Sequence, residues 1–171
     1  MRKKILILVL FIYGTCLLQS TVLEFIEIYG VRPNLLLVAA ISAALIRNDM
    51  ESAFMGLFLG LGMDILVGRA LGWYGMAFFL ACFLIALINP KLYRENPLVP
   101  VFFVFVSTLA IETLYYTITF FLKGYDYFVF DFVHVILPES LYNAVLAYPV
   151  FRLVSYMYKR IDKYDYNRTR L

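Results

Sequence analysis

Four polar side chains stand inside or at the edge of long apolar runs: Asp64, Glu112, Glu139 and Asn143. In such surroundings a carboxyl group can carry a proton, bind a cation or substrate, or be held by hydrogen bonds as part of the frame. It cannot sit unpartnered in hydrocarbon, because a charge at mid-depth costs about 2.5–3.5 kcal/mol on insertion scales. Glu112 is the most demanding case, near the middle of an apolar segment from Leu98 to Leu122 that also carries Ser107, Thr108, Thr113, Thr117 and Thr119. Glu139 and Asn143 lie four residues apart and so share a helix face. Asn143 is the expected hydrogen-bond partner of a neutral Glu112 across a helix pair, with a ligand or proton site as the alternative. Asp64 ends a series in which Gly56 and Gly60 recur every four residues, on one drifting helix face with Ala53. Glycines so spaced let a second backbone come close, and Gly62 is placed with them as a packing position. Asp64 reads as tied to Arg69, Arg32 or loop amides, with substrate or proton binding as the sharper alternative.

Little else in the sequence is equipped for chemistry. No phosphate-binding glycine loop, metal-binding histidine pair or nucleophile elbow is present, and the single histidine, His134, reads as an interfacial imidazole. Cys16 and Cys82 both fall inside apolar runs and read as small hydrophobes, not as a disulfide or metal pair. No catalytic residue, cofactor or metal site is expected.

The elements that must hold the polar residues are set by composition. Of 171 residues, 63% are hydrophobic and 16% charged, against an apolar share of about 45–50% in globular proteins. A soluble domain of this size has too much surface to hide that excess, so an all-α polytopic membrane protein is expected, a single integral domain over residues 1–171. Six spans are expected at about 5–23, 34–46, 52–67, 73–88, 98–122 and 132–158, followed by a basic tail at 159–171. The second, entered through Arg32 and Pro33 with Pro33 in its first turn, is short, as is the third. These two form either a compact pair or a re-entrant hairpin. Pro138 begins or kinks the sixth span, and Pro149 interrupts it.

The first span follows Arg2, Lys3 and Lys4, but it is long for a signal core and lacks a small-residue cleavage site, so a retained helix is expected. With the N-terminus inside, only Arg32, Arg69 and Lys123 of the 15 Lys and Arg fall outside. That asymmetry satisfies the positive-inside rule and places both termini in the cytoplasm. The tail from Lys159 onward reads as an anchor on anionic lipid headgroups, each cation contributing about 1 kcal/mol, and no nucleic-acid binding is expected of it.

Several local patterns then occur in order. Leu18, Gln19, Ser20 and Thr21 end the first span, and Arg32, Pro33, Asn34, Leu35, Leu36 and Leu37 open the second. Glu51, Ala53, Gly56, Gly60 and Asp64 follow, then Gly68, Leu71 and Gly72, and finally Leu137, Pro138, Leu141, Tyr142 and Asn143. Over essentially the whole chain this set resembles the MreD family of bacterial rod-shape-determining membrane proteins. Family members often carry Asp after the proline, where this chain has Asn34. The resemblance implies a non-enzymatic scaffold of the cell-elongation machinery in the inner membrane. It would act with the bitopic protein MreC, the actin-like MreB, the glycosyltransferase RodA and a penicillin-binding transpeptidase in lateral peptidoglycan synthesis. It also implies a compact six-helix bundle like the vitamin-binding S-components of transporters, a likeness of fold that does not carry ligand binding with it.

A scaffold needs contact surface, and aromatic residues supply it at 18% of the chain. Phe102, Phe103, Phe105, Phe120, Phe121, Tyr125, Tyr127, Phe128, Phe130 and Phe132 gather around the fifth span and its outer loop. They read as lipid contact plus an interfacial belt or, functionally, as the docking place of an MreC-like helix, with Phe120, Phe121, Tyr125, Tyr127, Phe128 and Phe130 as its candidates. Two other classes remain open. One is the substrate-binding subunit of a small-molecule transporter, with Asp64, Glu112, Glu139 and Asn143 lining an outward pocket. The other is a small intramembrane enzyme using Glu112 or Asp64, which lacks a second convergent group.

Overall fold

The segment Leu35–Ile46 is apolar all round except at Ser42, and a helix of that kind has no face to give to water. It forms the axis of the molecule. The structure, a computed structural model of the chain, describes residues 2–28, 30–47, 50–68, 71–88, 96–123, 130 and 132–169. Among them are six α-helices: α1 (Arg2–Thr21), α2 (Leu35–Ile46), α3 (Met50–Val67), α4 (Trp73–Ile88), α5 (Leu98–Lys123) and α6 (Leu137–Thr169). A short 3-10 turn, Leu23–Ile26, follows α1, and the described residues contain no strand beyond one isolated bridge between Ile28 and Val31. Every residue of α2 from Leu36 to Leu45 is buried, and α1, α3, α4, α5 and α6 all touch it.

Asn34, not Pro33, governs the start of α2. The Asn34 side chain accepts a hydrogen bond from Leu37 N at 3.0 Å and so caps the helix, which leaves Pro33 outside the first turn where the sequence placed it. An asparagine cap satisfies an otherwise orphaned amide, and a proline one position earlier cannot compete for that role.

The closest partners are α3 and α4. At Gly56 an added Cβ would stand 2.8 Å from the Phe78 carbonyl, and at Gly60 it would collide with the Tyr74 carbonyl and lie 2.7 Å from Gly75 Cα. Backbone meets backbone at both points, which only glycine permits.

Among the described residues three helices are long and apolar enough to cross a membrane, over Lys4–Thr21, Met50–Val67 and Leu98–Phe121, while α2 and α4 are shorter apolar helices. The last element departs from its expected outline. A π-helical turn, Phe132–Ile136, runs directly into α6, with Pro138 at the second position of the α-helical part and Pro149 inside it. Pro138 has no amide to donate, and a wider turn before it is one way to absorb that loss. The helix continues through the basic segment to Thr169.

Candidate functional site

Asp64 caps a helix. Its Oδ1 accepts from Tyr74 N at 2.9 Å, and its Oδ2 accepts from Gly72 N at 2.9 Å and Gly75 N at 3.1 Å. The first amides of a helix have no intrahelical acceptor, and the macrodipole favours a negative charge there. The chain reaches this geometry because α3 ends one residue before Gly68, whose φ of +64° turns the backbone while its amide returns to Asp64 O. Gly72, with φ +98°, then aims α4 back along α3. Loop amides were one of the expected partners of Asp64; the expected Arg32 is not. Arg32 pairs with Glu27 and with Glu24 (3.2 Å) at the molecule's edge. The hydrogen bond to Glu27, with the neighbouring carboxylate charges, raises its guanidinium pKa above the ordinary value. Arg69 lies outside the described residues.

The capped turn sets the position of Tyr74. Its ring lies against Tyr115 (centroids 5.6 Å) and edge-on to Phe78 (5.8 Å), and its hydroxyl donates to Glu112 Oε2 at 3.2 Å. Glu112 is 3% exposed. Asn143, the partner expected for Glu112, is engaged elsewhere: its Oδ1 accepts from Asn34 N at 2.7 Å and its Nδ2 donates to Thr108 Oγ1 at 3.2 Å. The Thr108 hydroxyl in turn donates to Val104 O at 2.8 Å. Asn143 therefore joins the start of α2 to α5 and α6. The amide of the cap residue Asn34 outcompetes the Glu112 side chain because it has no intrahelical acceptor and is buried from water. Gln19 completes the junction from α1, accepting from Leu35 N at 2.8 Å and donating to Pro33 O at 3.0 Å.

Above these groups opens a cavity of about 340 Å³, with Gln19, Asn34, Met63, Tyr74, Glu112, Tyr116 and Glu139 in its wall and Glu24, Glu27 and Arg32 at its exposed rim. Of the four intramembrane polar candidates, Glu112 and Glu139 share this space, while Asp64 and Asn143 are bonded outside its lining. Among the described residues no three His, Cys, Asp or Glu are grouped to hold a metal ion.

At the opposite end, Lys4 Nζ bonds Glu51 Oε2 at 2.6 Å, joining α1 to α3. Arg47 at the end of α2 pairs with Asp162 and lies 4.8 Å over the Tyr158 ring of α6. Lys159, Arg160 and Lys163 are exposed on the continuing helix.

The remaining sequence candidates divide. An added Cβ at Gly62 would stand 2.7 Å from Cys16 Sγ, so Gly62 serves the α1 contact and not the α4 one. Phe121 is 80% exposed and Phe130 59%, whereas Phe120 is half-buried and packs edge-on against Phe121. Phe130 stacks on His134 at 4.1 Å. Tyr125, Tyr127 and Phe128 lie outside the described residues. Sequence reasoning missed Tyr74 and Gln19. For Asn34 the signal was present, an N-cap residue immediately before an apolar run; for Tyr74 only its position on the first turn after Asp64 and two glycines could have served.

The family model described as rod shape-determining protein MreD matches residues 1–161. No curated protein and no solved structure matches the chain.

Proposed function

Since the chain belongs to the MreD family of rod shape-determining proteins, we propose that it serves rod shape as a multi-pass scaffold of the bacterial inner membrane. In this reading it binds an MreC-like bitopic protein and through it helps to organise MreB, RodA and a penicillin-binding transpeptidase in lateral peptidoglycan synthesis. Both termini lie in the cytoplasm, and the exposed cations of α6 rest on anionic headgroups.

One observation carries the docking part of this reading. Phe102, Val106, Ala110, Leu114 and Phe121 are exposed along α5 at spacings of four and seven residues, which makes a nearly straight apolar stripe. A single transmembrane helix is the partner such a stripe suits, and Ala110 at its centre allows close approach. The internal polar groups described above tie helix to helix and leave this outer wall for recognition.

Depletion of the protein in its own rod-shaped host tests the reading. Rounded cells and loss of lateral wall growth are expected. Unchanged shape together with a nutrient auxotrophy would favour the substrate-binding subunit of a transporter instead.

A further inference from the structure

We propose that the cavity lined by Glu112 and Glu139 binds a primary ammonium group, with an oxygen of the same ligand accepting a hydrogen bond from Asn34. The proposal stands independently of partner docking. Its volume, about 340 Å³, lies near the lower end of the range of about 300–1,000 Å³ that takes small ligands.

Charge selects the class of ligand. Among the described residues four carboxyl groups, Glu24, Glu27, Glu112 and Glu139, border the cavity against one guanidinium, and that guanidinium, Arg32, is already held by both rim glutamates. An ammonium group brings three N–H donors to these acceptors, whereas a simple anion brings none. Glu139 has no hydrogen-bond partner among the described residues, although it lines the cavity. Tyr74 and Tyr116 add aromatic walls, which favour a cation of any substitution, and the carboxyl acceptors are what select one that bears N–H.

A second, independent observation comes from Asn34, which also lines the cavity. Asn34 is 1% exposed, and its Oδ1 is committed to Leu37 N, which fixes the orientation of the amide. The Nδ2 of this cavity-lining residue is buried without a partner. A buried donor left unmatched is costly, so the ligand that fits best brings an acceptor as well as an ammonium. An amino alcohol has both. Its chemistry reaches the site either as a soluble amine or as the ethanolamine headgroup of a phospholipid, entering past the exposed rim.

The full chain in nanodiscs of phosphatidylglycerol, titrated with ethanolamine and followed by Trp73 and tyrosine fluorescence and by thermal unfolding, tests the site. A saturable response there identifies a soluble amine. A rise in unfolding temperature obtained only when phosphatidylethanolamine replaces part of the lipid identifies the headgroup. In either arm Glu139→Gln is expected to weaken the response about tenfold or more, and choline, which has no N–H, should not compete. Glu139→Gln breaks no hydrogen bond among the described residues; should it nevertheless fail to fold, Glu112→Gln, which keeps an acceptor for Tyr74, provides the same comparison. No response in either arm, an unchanged response in the variant, or equal competition by choline would overturn the proposal.

Discussion

The Asp64 carboxylate accepts the backbone amide of Tyr74 at 2.9 Å, and the hydroxyl of the same tyrosine donates to Glu112 at 3.2 Å. A charge at the end of α3 thus fixes the start of α4 and, through one side chain, the surroundings of a carboxyl group buried on α5. Asp64 acts on the interior by positioning, without itself bordering the cavity.

Asp64→Ala would leave three amides without their acceptor and is expected to destabilise the protein by about 2–4 kcal/mol. Asp64→Asn keeps one oxygen and should cost about 1 kcal/mol. Thermal unfolding in detergent measures both, and an alanine variant as stable as the parent would contradict the capping role.

Tyr74→Phe keeps the stacking on Tyr115 and removes only the hydroxyl, for an expected loss of about 1–2 kcal/mol. Glu112→Gln retains an acceptor and should be nearly silent in stability. A double-mutant cycle on Tyr74→Phe and Glu112→Ala is expected to give a coupling of about 1 kcal/mol. Additive effects would show that the hydroxyl and the carboxyl do not support one another.

Gly60→Ala should be far worse than Gly62→Ala. The first methyl meets the backbone of Tyr74 and Gly75, which cannot yield without parting α3 from α4; the second meets the Cys16 sulfur, at the end of a side chain that can rotate. Overpacking of the first kind costs about 1–3 kcal/mol or more. Folded yield and unfolding temperature of the two variants should rank accordingly.

These positions also show how much was legible in the sequence. The four-residue spacing of Gly56, Gly60 and Asp64 was readable because a helix maps such spacing onto one face, and the all-round apolarity of α2 was readable for the same reason. The partners were not. Asn143 and Glu112 both place polarity deep in apolar helices, and complementarity alone joined them. What separates them is the competition of buried backbone amides at the start of α2, which depends on where Pro33 and Asn34 arrive in three dimensions. Likewise Arg32 was drawn to Asp64 by charge, but Glu24 and Glu27 lie closer along the chain and take it.

Asn143→Leu would unsatisfy Asn34 N and Thr108 Oγ1 together, with an expected loss of about 2–4 kcal/mol. Asn143→Gln keeps an amide oxygen and an amide nitrogen without adding a charge, so it should retain more of the folded protein. Comparison of folded yields in membranes distinguishes them, and the reverse order would remove Asn143 from the junction.

A photocrosslinker at Phe121 or Phe130 should capture an MreC-like partner in cells, whereas one at Leu84, on the exposed face of α4, should not. Capture from Leu84 alone would move the docking surface to the other side of the molecule.

The short length of α4 has a consequence for the lipid itself. At 1.5 Å per residue its 16 residues cover about 24 Å, whereas the 26 of α5 cover about 39 Å, around a hydrocarbon thickness of about 30 Å. Met76, Leu80, Leu84 and Leu87 are exposed along α4, and Phe102, Val106 and Leu114 along α5. A bilayer sealing against both would be pinched beside one helix and relaxed beside the other. Neighbours that tolerate a thin membrane would then gather on the α4 flank, so the protein would sort its surroundings by thickness as well as by contact.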